Sequence, residues 1–313
     1  MIDRPEKMIQ KALLAAVSIV VLMLYPALAE PKVVASIKPV HSLVSAVMQG
    51  VGTPDLIVTG AGSPHTHALK PSQALLLEKA ELIFWIGHEF EGFLAKPVAT
   101  IGERAKSIEL IDTPKLKKLT QREAGAFEAH DEQHDHGHDH DREEFDLHFW
   151  LDPENAKAMT REIASTLMAA DPANARQYET NSMATLNRLD TLINEVSAIL
   201  QPVQDKRFIV FHDAYQYFER RFGLSAAGSM MVNPDIMPGA DRVREIKARI
   251  GEVNALCVFA EPQFEPKLLA TVTEGTGTKS GVIDPLGATL QDGTELYFKL
   301  IRTMANSMRS CLS

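Results

Sequence analysis

From residue 32 onward, short apolar runs alternate with stretches whose apolar positions recur three or four residues apart. "KVVASIKP" (32–39), "PDLIVTG" (54–60), "ELIFWIG" (81–87) and "KSIELID" (106–112) are β-rich and bounded by Gly or Pro, as buried strands are. Between them, "VHSLVSAVMQG" (40–50) and "PSQALLLEKA" (71–80) carry helical spacing. Strands alternating with helices predict βα units on a parallel sheet. The pattern returns after residue 205 with "RFIVFHD" (207–213), a short "LSAAGSM" (224–230), "ALCVFAEPQ" (255–263) and "SGVIDPLG" (280–287). The helical patterns "AYQYFERRF", "ADRVREIKARIG", "PKLLATVTEGTG" and "ELYFKLIRTMANSMRS" accompany these runs.

Between the two halves, residues 172–203 place Leu186, Leu189, Ile193, Val196 and Leu200 on one helical face, with no Gly or Pro in the interior. That predicts one helix of nearly 30 residues, about 45 Å long, acting as a strut rather than a hinge. The expected fold is α/β, with two lobes, each a parallel sheet flanked by helices, joined by one long rigid helix. The boundaries expected are an N-terminal lobe over 30–117 with its remainder at 147–171, the linking helix at 172–203, and a C-terminal lobe over 204–313. Residues 118–146 form a low-complexity acidic, His-rich insertion, too poor in apolar residues to fold alone.

The first 29 residues follow neither pattern. Arg4, Lys7 and Lys11 precede the apolar run "ALLAAVSIVVLML" (12–24), and "YPALA" ends at Ala29. This predicts a signal peptide cleaved after Ala29 and a mature chain exported to the periplasm; the alternative is an N-terminal membrane anchor, for which the apolar run is short. With 45% hydrophobic and 23% charged residues, the mature chain is expected to be a soluble monomer, not embedded in a membrane. Its only cysteines, Cys257 and Cys311, are expected to pair in an oxidising compartment and tie the C-terminal helix to the second lobe, two free buried thiols being the alternative. The net charge of −9 is concentrated in residues 121–146, where ten acids face two bases. No basic stripe remains, so nucleic-acid binding has no electrostatic footing.

The candidate chemistry lies in histidines near strand ends. His65 and His67 follow the second apolar run, His148 stands where the insertion ends, and His212 ends the first strand of the second half. Asp284 ends the strand "SGVID". Ligands of open parallel α/β sheets bind beyond the carboxyl ends of strands. Three imidazoles and a carboxylate there match the donors that Zn²⁺ prefers in tetrahedral sites. His41 and His88 read as cap or surface residues. His130, His134, His136, His138 and His140 interleave with Asp and Glu, which suits weak, exchangeable metal collection as well as a merely solvated loop.

"GAGSPHTHALKPSQ", "HFWLDPENA", "VFHDAYQYF", "VFAEPQF" and "VIDPLG", in this order, resemble the zinc-binding component of bacterial high-affinity zinc ABC transporters, the ZnuA-like group within the metal-binding cluster of solute-binding proteins. The resemblance runs over essentially the whole mature chain. It implies a metal held in the interlobe cleft, zinc capture in the periplasm and delivery to a membrane permease, without enzymatic activity. It also implies His65, His148 and His212 as ligands, with the fourth position open between Asp284 and water. His67 ranks behind His65, because relatives often have an aromatic residue there, and Pro64 departs from zinc-type relatives that carry a carboxylate beside the first histidine. The imidazole of His212 favours Zn²⁺ over Mn²⁺, and affinity is expected to fall as pH drops through about 6.5. The competing readings are a manganese-type binder or adhesin on the same scaffold, and a zinc hydrolase, against which no HExxH-like motif supplies a base.

Overall fold

The computed structural model describes residues 30–122, 145–231, 239–263 and 266–313. The expected signal peptide with its cleavage site, and His130, His134, His136, His138 and His140, lie outside the described residues.

The first sheet is built from β1 (Val33–Ala35), β2 (Asp55–Leu56), β3 (Leu82–Trp85) and β4 (Lys106–Glu109), all parallel, in the order β2-β1-β3-β4. Val33, Val34 and Ala35 lie opposite Leu82, Ile83 and Phe84. β3 is buried at all four positions, which is why it reads as an unbroken apolar run rather than an alternating one. Helices α1 (Lys38–Val47), α2 (Pro71–Lys79) and α3 (Gly92–Thr100) connect the strands. The second strand is shorter than the sequence pattern suggests. Ile57 and Val58 still donate to the carbonyls of Ala35 and Ser36, so edge bonding outlasts the ladder.

After the insertion, α4 (Pro153–Ala170) leads into α5 (Ala175–Leu200). Single 3₁₀ turns at Pro172–Asn174 and Gln201–Val203 flank α5, so the span expected as one long helix is helical from end to end in outline. Its buried residues, Tyr178, Ser182, Thr185, Leu189, Leu192, Val196 and Leu200, include three of the five positions that the spacing picks out, while Leu186 and Ile193 are half-buried at its border. Two helices that the apolar pattern did not single out, α3 and α4, complete the first half. α3 contains Pro97, and α4 starts at Pro153 behind Asp152, whose carboxylate accepts from the Glu154 N–H at 2.9 Å.

The second sheet repeats the topology with β5 (Phe208–His212), β6 (Ser229–Met231), β7 (Cys257–Ala260) and β8 (Lys279–Val282), in the order β6-β5-β7-β8. Its helices are α6 (Gln216–Phe222), α7 (Ala240–Glu252), α8 (Pro266–Thr273) and the C-terminal α9 (Leu296–Leu312). Gly223 closes α6 at φ 71, where a Cβ would come within 2.8 Å of the Gln204 amide. That amide donates to the Phe222 carbonyl. The chain therefore needs glycine here twice over, for the left-handed turn and for the close approach. Cys257 of β7 and Cys311 of α9 form a disulfide with 6.0 Å between Cα atoms, and no cysteine is free.

One apolar core runs through both halves, from Val33 in the first sheet to Leu189, Leu192 and Val196 of α5 and on to Leu312 of α9. A smaller cluster around Phe211, Met230, Ile246 and Val258 covers the other face of the second sheet. Among the described residues no helix is long and apolar enough to cross a membrane.

Candidate metal site

The carboxyl ends of both sheets face one crevice, and three histidines meet in it. His212 is the last residue of β5, His148 precedes a 3₁₀ turn at Phe149–Leu151, and His65 sits in the loop between β2 and α2. One ring nitrogen from each lies within 4.8 Å of the others, and among the described residues no other group of three or more His, Cys, Asp or Glu donors converges in this way. The Nε2 atoms of His148 and His212 are 3.4 Å apart. Ring centroids are separated by 5.3 Å for that pair, and by 5.8 and 5.9 Å from His65 to His148 and His212.

Two buried carboxylates orient two of the rings. β5 and β7 pair with Phe208 opposite Cys257. The same offset, carried four residues on, sets His212 beside Glu261, whose Oε1 accepts from His212 Nδ1 at 2.6 Å. Asp146 Oδ1 accepts from both the backbone N–H and the Nδ1 of His148, at 3.0 and 2.9 Å. A carboxylate at Nδ1 holds the proton there and leaves the Nε2 lone pair to face the crevice. His148 and His212 therefore present two acceptors to each other, an arrangement that needs a proton or a cation between them.

Asp146 is itself held across the crevice. Its carbonyl accepts from Tyr217 Oη at 2.8 Å, its N–H donates to the Leu119 carbonyl, and the Leu119 N–H donates to the same tyrosine oxygen at 2.9 Å. Arg122 pairs with both Asp213 and Glu219, and Arg221 of α6 grips the Asp152 cap at 2.6 and 2.8 Å. The described ends of the acidic insertion are thus bonded to α6, through Thr120 and Arg122 on one side and Asp146 on the other.

The three rings differ in proton affinity. Burial, reinforced by the neighbouring His212, lowers His148 to about 3. Burial followed by the charges of His148 and His212 does the same to His65, although that residue keeps solvent exposure on its loop. Burial also opposes protonation of His212, but the charge and hydrogen bond of Glu261 outweigh it and raise His212 above its ordinary value. Burial pushes Asp146 up to about 7, against the pull of the His148 N–H and Arg122.

The remaining candidates stand apart from this group. His67 Nε2 donates to Gln73 Oε1 at 3.1 Å, its ring packs on Phe93, and Gln73 Nε2 donates to the Ile57 carbonyl, so His67 anchors the loop that carries His65. His41 bonds the Pro54 carbonyl and exposed His88 bonds Glu109. Asp284 does not join the converging donors. Its Oδ1 accepts from the N–H groups of Leu286 and Gly287 and from Gln263 Nε2, and its Oδ2 accepts from Ala288 N–H at 2.6 Å. Those bonds fix the β8 turn and occupy the carboxylate.

Sequence reasoning passed over Glu261 and Asp146. The first was visible as an acid just past a strand end, in register with His212, and the second as an acid two residues before His148, hidden among the acids of the insertion. It also passed over the apolar lining, in which Phe90 packs edge-on against both His65 (5.0 Å) and His148 (5.4 Å) and Trp150 lies behind them.

Comparison with known proteins identifies the family. The family model described as "ZnuA: Zinc-uptake complex component A periplasmic" matches residues 33–311. The high-affinity zinc uptake system protein ZnuA of Brucella suis biovar 1 (strain 1330) is 55% identical over 305 residues, covering 90% of this chain and 91% of that protein. A crystal structure of ZnuA superposes with a TM-score of 0.75 at 26% identity, over 90% of this chain and 99% of that one. A ZnuA deletion mutant with zinc bound superposes with a TM-score of 0.72 at 26% identity, over 90% and 98%. With its strand order, its long connecting helix and the extent of these matches, the chain belongs to the ZnuA family of periplasmic zinc-uptake components, which are solute-binding proteins rather than enzymes.

Proposed function

We propose that this chain captures Zn²⁺ in the periplasm with His65, His148 and His212 and delivers it to the membrane permease of an ABC transporter. The observation that carries this reading is the pair of facing Nε2 atoms 3.4 Å apart. A tetrahedral Zn²⁺ with Zn–N bonds of about 2.0–2.1 Å sets its ligand nitrogens roughly 3.3–3.4 Å apart. The carboxylates on the far side of two rings are the supports usual for metal-bound imidazoles. Three neutral nitrogen donors favour zinc over manganese.

The two walls of the crevice are the lobes 30–117 with 147–171 and 204–313, and the helical span 172–203 braces them. His130, His134, His136, His138 and His140 act as a weak collecting set that raises the local metal supply. The protein works as a monomer after cleavage behind Ala29. Zinc titration calorimetry on residues 30–313 tests the reading against the His65→Ala, His148→Ala, His212→Ala triple variant. The wild type should show one tight site with weaker ones, and the triple variant only the weaker ones. Deleting 128–141 should leave the tight site intact. Tight binding that survives the triple substitution would refute the assignment.

A further inference from the structure

Three histidines leave one position of a tetrahedral ion to fill, and the crevice holds a residue suited to it. We infer that Gln263 fixes the fourth ligand, a metal-bound water, through its side-chain carbonyl, and that Asp284 aims Gln263 rather than binding the ion. The inference rests on the three-histidine reading and goes one step further.

Four N–H donors already converge on Asp284. Turning this carboxylate onto a metal would strip those bonds and undo the turn at 284–288. Asp284 also does not line the cavity beside the histidines, whereas Gln263 does. The Nε2 of Gln263 donates to Asp284 Oδ1 at 3.0 Å. An acceptor there fixes the sense of the amide, because only the NH₂ end can face a carboxylate. The opposite atom, Oε1, is buried and has no hydrogen-bond partner. A buried acceptor left without a donor is uncommon and calls for a partner.

The polarity matches a metal-bound water, which offers its lone pair to the ion and its protons to acceptors. The Nε2 lone pairs of His148 and His212 face the ion and are not free to accept those protons. The cavity beside the histidines is small, about 10 Å³. Ser63, Pro64, Phe90, Trp150, Pro285 and Leu286 also line it without a side-chain carboxylate, and the Ser63 hydroxyl accepts from the His65 N–H. Glu261 also lines it, and its Oε1 accepts from His212 Nδ1.

The test compares the wild-type chain with Gln263→Leu and Asp284→Asn, loaded with Zn²⁺ for affinity and with Co²⁺ for its visible spectrum. Gln263→Leu should weaken Zn²⁺ binding by roughly tenfold, within the 10–100-fold range for loss of a supporting hydrogen bond. Its Co²⁺ bands should shift, and azide should displace the fourth ligand at lower concentration than in the wild type. Asp284→Asn should follow in the same direction. Unchanged affinity and azide response in Gln263→Leu would overturn the inference. So would a wild-type Co²⁺ spectrum indifferent to azide together with bands altered most by Asp284→Asn, the signature of a ligating Asp284. Should Gln263→Leu fail to fold, electron–nuclear double resonance of the wild-type Co²⁺ complex decides: strongly coupled exchangeable protons of a bound water are expected beside the Nδ1 protons of the imidazoles, and finding the imidazole protons alone contradicts the proposal. Failure of the three-histidine reading shows differently, as tight binding that survives the triple histidine substitution.

Discussion

The two sheets have the same strand order and deliver their histidines differently. His212 comes from the end of a strand that is buried at all five positions, with a buried glutamate in register beside it. His65 comes from an exposed loop beyond a two-residue edge strand, steadied by the packing of Phe90 and by the His67–Gln73 bond. Among the described residues no carboxylate holds its ring. The second lobe supplies one preorganised donor, whereas the first supplies both a carboxylate-held one, His148, and an adaptable one, His65, so topology alone does not determine how rigid a site is. The lobes also differ in their fastening: the disulfide belongs to the second, between β7 and α9.

The largest effect should come from that fastening. Closing a loop with a sequence separation of 54 stabilises by about 4 kcal/mol in the chain-entropy model. Cys257→Ser with Cys311→Ser should lower the urea midpoint accordingly, and the loss should appear first in amide exchange of the second sheet. Equal loss in both sheets would mean that the shared core makes the lobes one cooperative unit. Next, His212→Ala should reduce Zn²⁺ affinity by more than about 100-fold, the upper end for loss of a supporting bond alone, and by more than His65→Ala. Calorimetry giving the reverse order would break the contrast between strand-end and loop donors. Glu261→Gln should cost about 10–100-fold, leaving the apo melting temperature little changed.

Proton competition sharpens the same contrast. Zn²⁺ needs neutral imidazoles. His65 and His148 are lowered to about 3, so they stay neutral well below pH 6.5, whereas His212 is raised and binds its proton first. Affinity should therefore fall with decreasing pH below the raised His212 value by about tenfold per unit, one proton displaced per ion, until the other two begin to titrate in strong acid. A slope near three around pH 6 would mean three ordinary histidines. The smallest effect is expected at the solvent-facing ties between α5 and α9. Arg188 lies 3.9 Å over the Phe298 ring and pairs with Glu295, yet Arg188→Ala should cost under about 1 kcal/mol in urea denaturation, because exposed pairs are screened.

The fold was legible where burial imposes a period. Leu189, Val196 and Leu200 reported one face of α5, and the runs around Ile83 and Val210 reported strands covered on both faces. α4 was harder to see, because its buried residues include Asn155, Thr160 and Thr166, whose polarity blurs the apolar stripe. The site was legible as histidines at strand ends. Its supports were not, because Glu261 meets His212 only through a strand register that the sequence does not display, and Asp146 is one acid among many. Asp284 stood at the right edge, but the turn that follows β8 engages its carboxylate, which only backbone geometry reveals.

X-ray absorption at the zinc edge of the complex with one ion per chain tests the central claim most directly. Three imidazole nitrogens at about 2.0–2.1 Å, with their outer-ring scattering, and one further light-atom ligand are the expected result. A shell with one imidazole or none, dominated by carboxylate oxygens, would contradict a site built by His65, His148 and His212.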